Sequence, residues 1–336
     1  MNATPEIVSL CDFESGQSGD AFVLLVSRER SKTRDGKPYF RVGFRGGSRT
    51  ATAMIWSDTP WFHDCEQAWE VGHFYKIRCR YTETQYGPQV DLDRIREVVD
   101  SDKADGFDPL AFIERSRFEP EEQLAELCEI ARTQISDEPL RRLTLKILED
   151  NAETLKVIPA ATRNHHAFAG GYIEHVLSAT RTAVFFADKY TAYYPEINLS
   201  KSLVTAGAIL HDIGKLRELE FQPQGGRYTA EGRLIGHILM GRDIVRETAQ
   251  QIDGLDPETL LRLEHIIVAH QNLPEWGSPV APHTPEALLV HYADDTDAKF
   301  AIFARTLSAA PDDGEEFTPS DNVMRRRLFR GLPENK

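Results

Sequence analysis

The sequence predicts a multidomain protein in which a small all-β barrel precedes an all-α domain. Three observations predict it. Five short segments in the first 100 residues have strand-like patterning. Beyond residue 120, apolar residues recur at helical spacing. Nine of the eleven histidines fall between residues 160 and 300. The expected divisions are a barrel over 1–100, a linker and connecting helices over 101–160, a histidine-rich helical domain over 161–310 and a tail over 311–336.

The bulk numbers bound the function. The 336 residues are 41% hydrophobic and 27% charged, enough to bury a sizeable core. The net charge of −14 argues against a wholesale electrostatic binder of nucleic acid or anionic membrane, but not against a local basic face. No apolar run approaches a membrane span. Met1–Glu6 lack a basic start and an apolar core, so no secretory signal is expected. Cys11, Cys65, Cys79 and Cys128 have no zinc-like spacing and read as reduced thiols of a cytoplasmic protein.

The β region opens with an apolar strand over Ala21–Ser27. Arg34-Asp35-Gly36-Lys37 then makes a turn. Tyr39–Arg45 alternates, with Phe40, Val42 and Phe44 on one face and Tyr39, Arg41 and Arg45 on the other. Thr50–Trp56 is a third strand. After Gly72, Tyr75, Ile77 and Cys79 alternate with Lys76, Arg78 and Arg80 in a fourth. Tyr86-Gly87-Pro88 turns into a fifth, Gln89–Ile95. Between residues 21 and 50, eight basic residues face two acidic ones, a local excess of +6. Cations that track a backbone, beside an aromatic that stacks on a base, suit single-stranded nucleic acid. Tyr39, Arg41, Lys76, Arg78 and Arg80 are the candidates. Strand positions that simply face water would give the same pattern.

Asp100–Gly106 is polar and turn-rich, as a linker would be. One helix follows Pro120, with Glu121 and Glu122 in its first turn, and a second follows Pro139. Both read as packing helices.

In the third region the run Ala206–Leu210 delivers His211 beside Asp212, breaks at Gly214 and presents Lys215. Imidazole and carboxylate can share one transition metal, and a lysine suits phosphate. A lone histidine is more often a hydrogen-bonded or surface residue. That reading weakens when several recur on separate apolar helices, since burying each without a shared purpose is costly. His265 and His270, five residues apart, cannot share a helix face. His270, near its helix end, is the candidate ligand.

These residues resemble the ordered H…HD…H…H…D signature of the HD phosphohydrolase superfamily: His175, His211-Asp212, His237, His270 and Asp294, over about 120 residues. The β segment, with its strand–DGKPY–strand hairpin, Trp56 and the GHFYKIR stretch, resembles an OB-fold. Together they resemble the YhaM-type exoribonucleases, as do Arg163–Phe168, Glu275-Trp276-Gly277-Ser278-Pro279 and Asp294–Lys299. One position departs: Gln271 stands where those enzymes often have a second histidine. The fold so implied is a small all-β OB-fold barrel followed by an all-α HD domain. The resemblance implies that His175, His211, Asp212 and Asp294 hold one divalent ion and that His237 and His270 help hold a second, with Asp212 bridging and Mn²⁺ favoured. Asp212 and Lys215 would act in catalysis. The implied reaction is 3′–5′ hydrolysis of single-stranded RNA, with single-stranded DNA an alternative strand. Rival readings are an HD enzyme acting on nucleotides or cyclic dinucleotides and a non-catalytic OB-fold binding protein. His165 and His166 would either reach the substrate or cap the helix near Gly171. The basic Arg325–Arg330 segment would touch RNA or dock on the acidic body.

Overall fold

A computed structural model describes residues 7–33, 35–47, 49–85, 87–112, 116–161, 166, 168–222, 225–309 and 315–332. Expectations for Arg34, Tyr86, Arg163–His165, Ala167 and residues 311–314 lie outside the described residues. The chain divides into two units, Met1–Glu114 and Arg115–Lys336.

The first unit is the expected barrel. Strands β1 (Ser18–Lys32), β2 (Pro38–Gly46), β3 (Arg49–Trp56), β4 (Phe74–Thr84) and β5 (Gly87–Glu97) close in the order β1-β2-β3-β5-β4. All pairings are antiparallel except β3 with β5. This is a five-stranded barrel of OB-fold type. Period-two alternation sends Val23, Leu25, Phe40, Val42, Phe44, Ile55 and Ile77 inward. A short helix, α1 (Phe62–Gln67), adds Cys65 to that core. Burial pushes the Cys65 and Cys79 thiols up to about 12, as inert core groups.

The expected linker is part of this unit. Phe22 and Leu24 point out of the barrel, and Phe107 and Phe112 cover them together with Phe74. Asp102 is buried and accepts two hydrogen bonds from Arg96, at 2.7 and 2.6 Å. The polar composition of 100–106 hides this docking, because what anchors the segment is a carboxylate rather than an apolar stripe.

Among its described residues the second unit is helical apart from one hairpin and an isolated bridge between Phe317 and Phe329. It comprises α2 (Pro120–Gln134), α3 (Glu138–Asp150), α4 (Ala152–Leu155), α5 (Gly171–Tyr193), α6 (Lys201–Leu210), α7 (Lys215–Glu218), β6 (Leu219–Gln222), β7 (Gly225–Tyr228), α8 (Ala230–Ile235), α9 (His237–Ala249), α10 (Pro257–Ala269) and α11 (Pro285–Ala309). Its core is continuous through α2, α3, α5, α6, α9, α10 and α11. Side-chain caps start several helices: Asp137 for α3, Ser200 for α6, Thr229 for α8 and Asp256 for α10. Gly207 lets α6 approach α10, since a Cβ there would lie 2.6 Å from Ile266 Cγ2. No described helix is long and apolar enough to cross a membrane. In the tail, Thr318 pairs with Leu328, and Arg327 lies 5.5 Å over the Phe317 ring. Part of the basic segment thus packs on the tail itself.

Candidate metal centre and nucleic-acid face

Five helices converge on one point. α5 supplies His175 from its second turn, and His211 and Asp212 follow α6 directly. A tight turn follows, in which the Lys215 N–H donates to the Asp212 carbonyl at 2.9 Å. That turn folds Lys215 back so that its ammonium pairs with Asp212 Oδ2. α9 begins with His237, α10 is followed directly by His270, and α11 carries Asp294. Apart from the half-buried His237, all of these are buried: His175, His211, Asp212, Lys215, His270 and Asp294.

The histidine orientations follow from local structure. A helix end leaves carbonyls without partners. His211 Nδ1 donates to Ala208 O at 2.7 Å, and His270 Nδ1 to Ile267 O at 2.7 Å. A carbonyl only accepts, so Nδ1 carries the proton in both. His175 Nδ1 lies 2.7 Å from Asp297 Oδ2, and His237 Nδ1 lies 3.1 Å from Glu218 Oε1. The same Glu218 oxygen accepts from the His237 backbone N–H at 2.9 Å, where α9 needs an acceptor. Each imidazole therefore turns Nε2 to the shared centre. Such outer partners orient metal-binding histidines and raise their basicity.

Asp212 faces two sets of Nε2 atoms. Its Oδ2 lies 3.6 Å from both His175 and His211. Its Oδ1 lies 3.3 Å from His237 and 3.5 Å from His270. Asp294 Oδ1 closes the first set at 3.2 Å from His175 and 3.7 Å from His211. Among the described residues, three groups of donor atoms lie within 4.8 Å of one another: His175/His211/Asp212 and Asp212/His237/His270 at the centre, and His166/His175/Asp297 behind it.

These contacts set acceptor against acceptor. With Nδ1 protonated, Nε2 of a neutral imidazole presents a lone pair, and so does a carboxylate oxygen. Among the described residues, Asp212 Oδ1 and His237 Nε2 are buried and have no hydrogen-bond partner. Such pairs repel unless positive charge lies between them. On the His175 side a proton meets part of the demand: burial lowers His175, but Asp294 and Asp297 raise it to about 10. On the other side burial holds His270 below its ordinary value, so it stays neutral. Burial alone would raise the Asp212 carboxyl, but the Lys215 ammonium beside it holds it well below its usual range. The residues thus fit divalent cations, and their imidazole–carboxylate mixture suits first-row metals.

Asp212, Lys215, His237, His270 and Asp294 line a cavity of about 490 Å³. The sequence reading missed three supporting residues: Glu218, Asp297 and His291. His291 Nδ1 donates to His270 O at 2.7 Å. Each lies three residues from a singled-out position, on the same helix face, and that spacing was the available signal. The β6–β7 hairpin was also missed. His265 faces away from the centre and accepts from the His283 N–H at 2.9 Å. His166, at φ 47°, leans on Asp297 at 3.3 Å behind His175. Gln271 lines the cavity, with its amide nitrogen 3.4 Å from His270 Nε2.

The barrel separates the other candidates. Tyr39 and Trp56 are paired across β2 and β3, with ring centroids 5.0 Å apart and Trp56 42% exposed. Arg41 is exposed on the same outward side. β4 is not adjacent to these strands, because β1 and β5 intervene. Lys76 pairs with Asp105 at 2.7 Å and Asp102 at 3.6 Å. Arg78 makes a two-pronged contact with Asp20 at 2.6 and 2.9 Å. The expected five-residue face is thus not one strip, and two of its cations are neutralised within the unit. Arg80 stays exposed. Trp56 joins the face instead.

A family model described as the HD domain matches residues 172–299, which include every candidate ligand and Lys215. A helicase model, TraI_2, matches residues 119–217. Similar solved structures include the second OB-fold domain of replication protein A from Methanococcus maripaludis, at 10% identity and a TM-score of 0.22. A crystal structure of a domain of replication protein A from the same organism has 10% identity and a TM-score of 0.23. Each match covers 27% of this chain and 94% of the other. Residues 172–299 therefore form an HD domain, the mark of a metal-dependent phosphohydrolase, and an OB-fold-like barrel precedes it.

Proposed function

We propose that the chain is a metal-dependent 3′–5′ exoribonuclease that hydrolyses single-stranded RNA to nucleoside 5′-monophosphates. The observation that carries this reading is the placement of Asp212, whose two oxygens face two separate sets of imidazoles. His175, His211, Asp212 and Asp294 would hold one divalent ion, and Asp212, His237 and His270 a second. When bound, such a pair supplies Lewis-acid charge and an activated water for in-line phosphoryl displacement. Lys215 lines the cavity paired with Asp212, and its positive charge would stabilise a phosphate bound there. Asp297 and Glu218 keep His175 and His237 in the binding tautomer. On the barrel, the Tyr39–Trp56 pair and Arg41 support binding of a single strand by stacking and backbone charge. RNA as substrate and the 3′–5′ polarity rest on the resemblance to YhaM-type enzymes.

End-labelled RNA incubated with protein and Mn²⁺ tests the reading. The wild type should shorten the strand from its 3′ end, and Asp212→Ala should leave it intact. Uncut RNA with the wild type, or undiminished cutting by the variant, refutes it. A cavity of about 490 Å³ also suits a free nucleotide. Mononucleotides and single-stranded DNA therefore belong in the same assay.

A further inference from the structure

The rim of the cavity carries a feature that the metal chemistry does not use. Trp276 and Tyr228 line the cavity above its histidine–aspartate floor, and both are unusually open, at 50% and 39% exposed. Trp276 is firmly seated. It ends a single 3₁₀ turn, Pro274–Trp276, in which its N–H donates to Leu273 O at 3.0 Å. Gly277 closes that turn at φ +108°, a conformation that favours glycine. The buried Ser278 then ties the loop back, accepting from the Gln271 N–H at 3.0 Å. The turn thus fixes the Trp276 backbone and presents its indole at the rim of the cavity.

Each ring also has a cation near it. Lys299 Nζ lies 5.9 Å from the Trp276 centroid and is held at 2.7 Å by Asp295. The Arg233 guanidinium lies 6.0 Å from the Tyr228 centroid. A ring has two faces, so a cation on one leaves the other for stacking. The cavity therefore offers phosphate-directed charge at its floor and flat aromatic surface at its rim. That combination matches a nucleotide, which carries a phosphate and a flat base a few ångströms apart. It does not match a phosphorylated sugar without a base.

We propose that Trp276 is the base-stacking residue of the HD cavity and holds the nucleobase of the terminal nucleotide while its phosphate lies over the floor. The proposal rests on the phosphodiesterase reading and names the part of the substrate that the rim recognises. Stacking accepts every base, because each has a π face, so the site would be tolerant of sequence.

The test compares binding of adenosine 5′-monophosphate and ribose 5-phosphate to the full-length Mn²⁺-loaded protein by calorimetry, in the wild type, Trp276→Ala and Trp276→Phe. A stacked base contributes about a tenfold or greater gain in affinity. The wild type should therefore prefer the nucleotide by about that factor. Trp276→Ala should bind both equally, and Trp276→Phe should restore most of the preference. Equal binding of the two probes by the wild type, no binding of either, or a preference that survives in Trp276→Ala overturns the proposal. Equal weakening of both probes in Trp276→Ala without rescue by phenylalanine also overturns it, as that is a structural effect. None of these readouts needs turnover. Failure of the nuclease reading appears separately, as uncut RNA beside an intact preference for the nucleotide.

Discussion

Gly214 offers a test in which even the sign of the effect is informative. Its backbone is ordinary right-handed helix, at φ −65° and ψ −16°, so nothing in its own conformation demands glycine. Alanine there should by propensity alone stabilise the turn by about 0.5–1 kcal/mol. The surroundings reverse that. An added Cβ would lie 1.8 Å from the His237 carbonyl oxygen and 2.5 Å from the Gly241 nitrogen. Both are backbone atoms of α9, so no side chain can turn aside. Restoring ordinary contact at 3.4 Å moves the start of α9 by about 1.6 Å. Overpacking of this kind costs about 3 kcal/mol. For a domain of this size that is roughly a 10 °C fall in Tm. The same displacement carries His237 away from Asp212 Oδ1, now 3.3 Å distant. A misplacement of about 1 Å lowers activity about a hundredfold. Differential scanning calorimetry of Gly214→Ala, with metal titration of the same sample, measures both effects. Gly207→Ala is the control: the atoms nearest its Cβ belong to the Ile266 side chain rather than to backbone, so a smaller fall in Tm with unchanged metal binding is expected. An unchanged or raised Tm in Gly214→Ala would refute the reasoning.

Three further outcomes follow from the site and the barrel. Trp56→Ala should weaken single-stranded RNA binding by about 1–3 kcal/mol, and Arg41→Ala should lower the salt slope by about one unit, whereas Lys76→Ala should leave affinity unchanged because its charge is committed to Asp102 and Asp105; filter binding at several salt concentrations separates them. Glu218→Gln should weaken one of the two metal-binding steps seen by calorimetry about 10- to 100-fold, since His237 loses its charged partner. Asp102 is held well below its usual range by its Arg96 hydrogen bonds, against the opposing effect of burial. A lowered folded-state value means that the stability it contributes is present above about pH 4 and lost as pH falls further. Urea melts of Asp102→Asn should therefore show about 2 kcal/mol less stability at pH 7 and a shallower decline in acid.

Much of the fold was legible because it rests on periodicity. Phe40, Val42 and Phe44 repeat every second residue and fill the barrel. Proline with an acidic first turn announced α2, and proline announced α3. What escaped the sequence depends on contacts between distant residues. Asp102 anchors a segment that reads as linker only because its partner, Arg96, lies on a strand. Lys76 and Arg78 alternate as free surface cations would, and only the closed barrel brings Asp20 and Asp105 to them. The β6–β7 hairpin, Leu219–Tyr228, has too few apolar residues to announce itself.

The histidine–aspartate centre was legible for a different reason. Burial of several imidazoles is visible in their apolar flanks, and their order in the chain is visible too. The sequence could not say what each Nε2 faces. The helix ends decide that. His211 and His270 each follow an apolar helix directly, and each donates Nδ1–H to the carbonyl three residues back. A histidine at such a position has its tautomer set by the helix itself, without any distant partner. Asp212 then lies where two such helix ends meet, and its buried Oδ1, 3.3 Å from His237 Nε2 and 3.5 Å from His270 Nε2, has no hydrogen-bond partner among the described residues. That arrangement is unfavourable for a purely structural core. It is sensible only if positive charge is delivered to it, which is why Asp212 is the residue whose replacement separates a metal-dependent hydrolase from a merely packed helical domain.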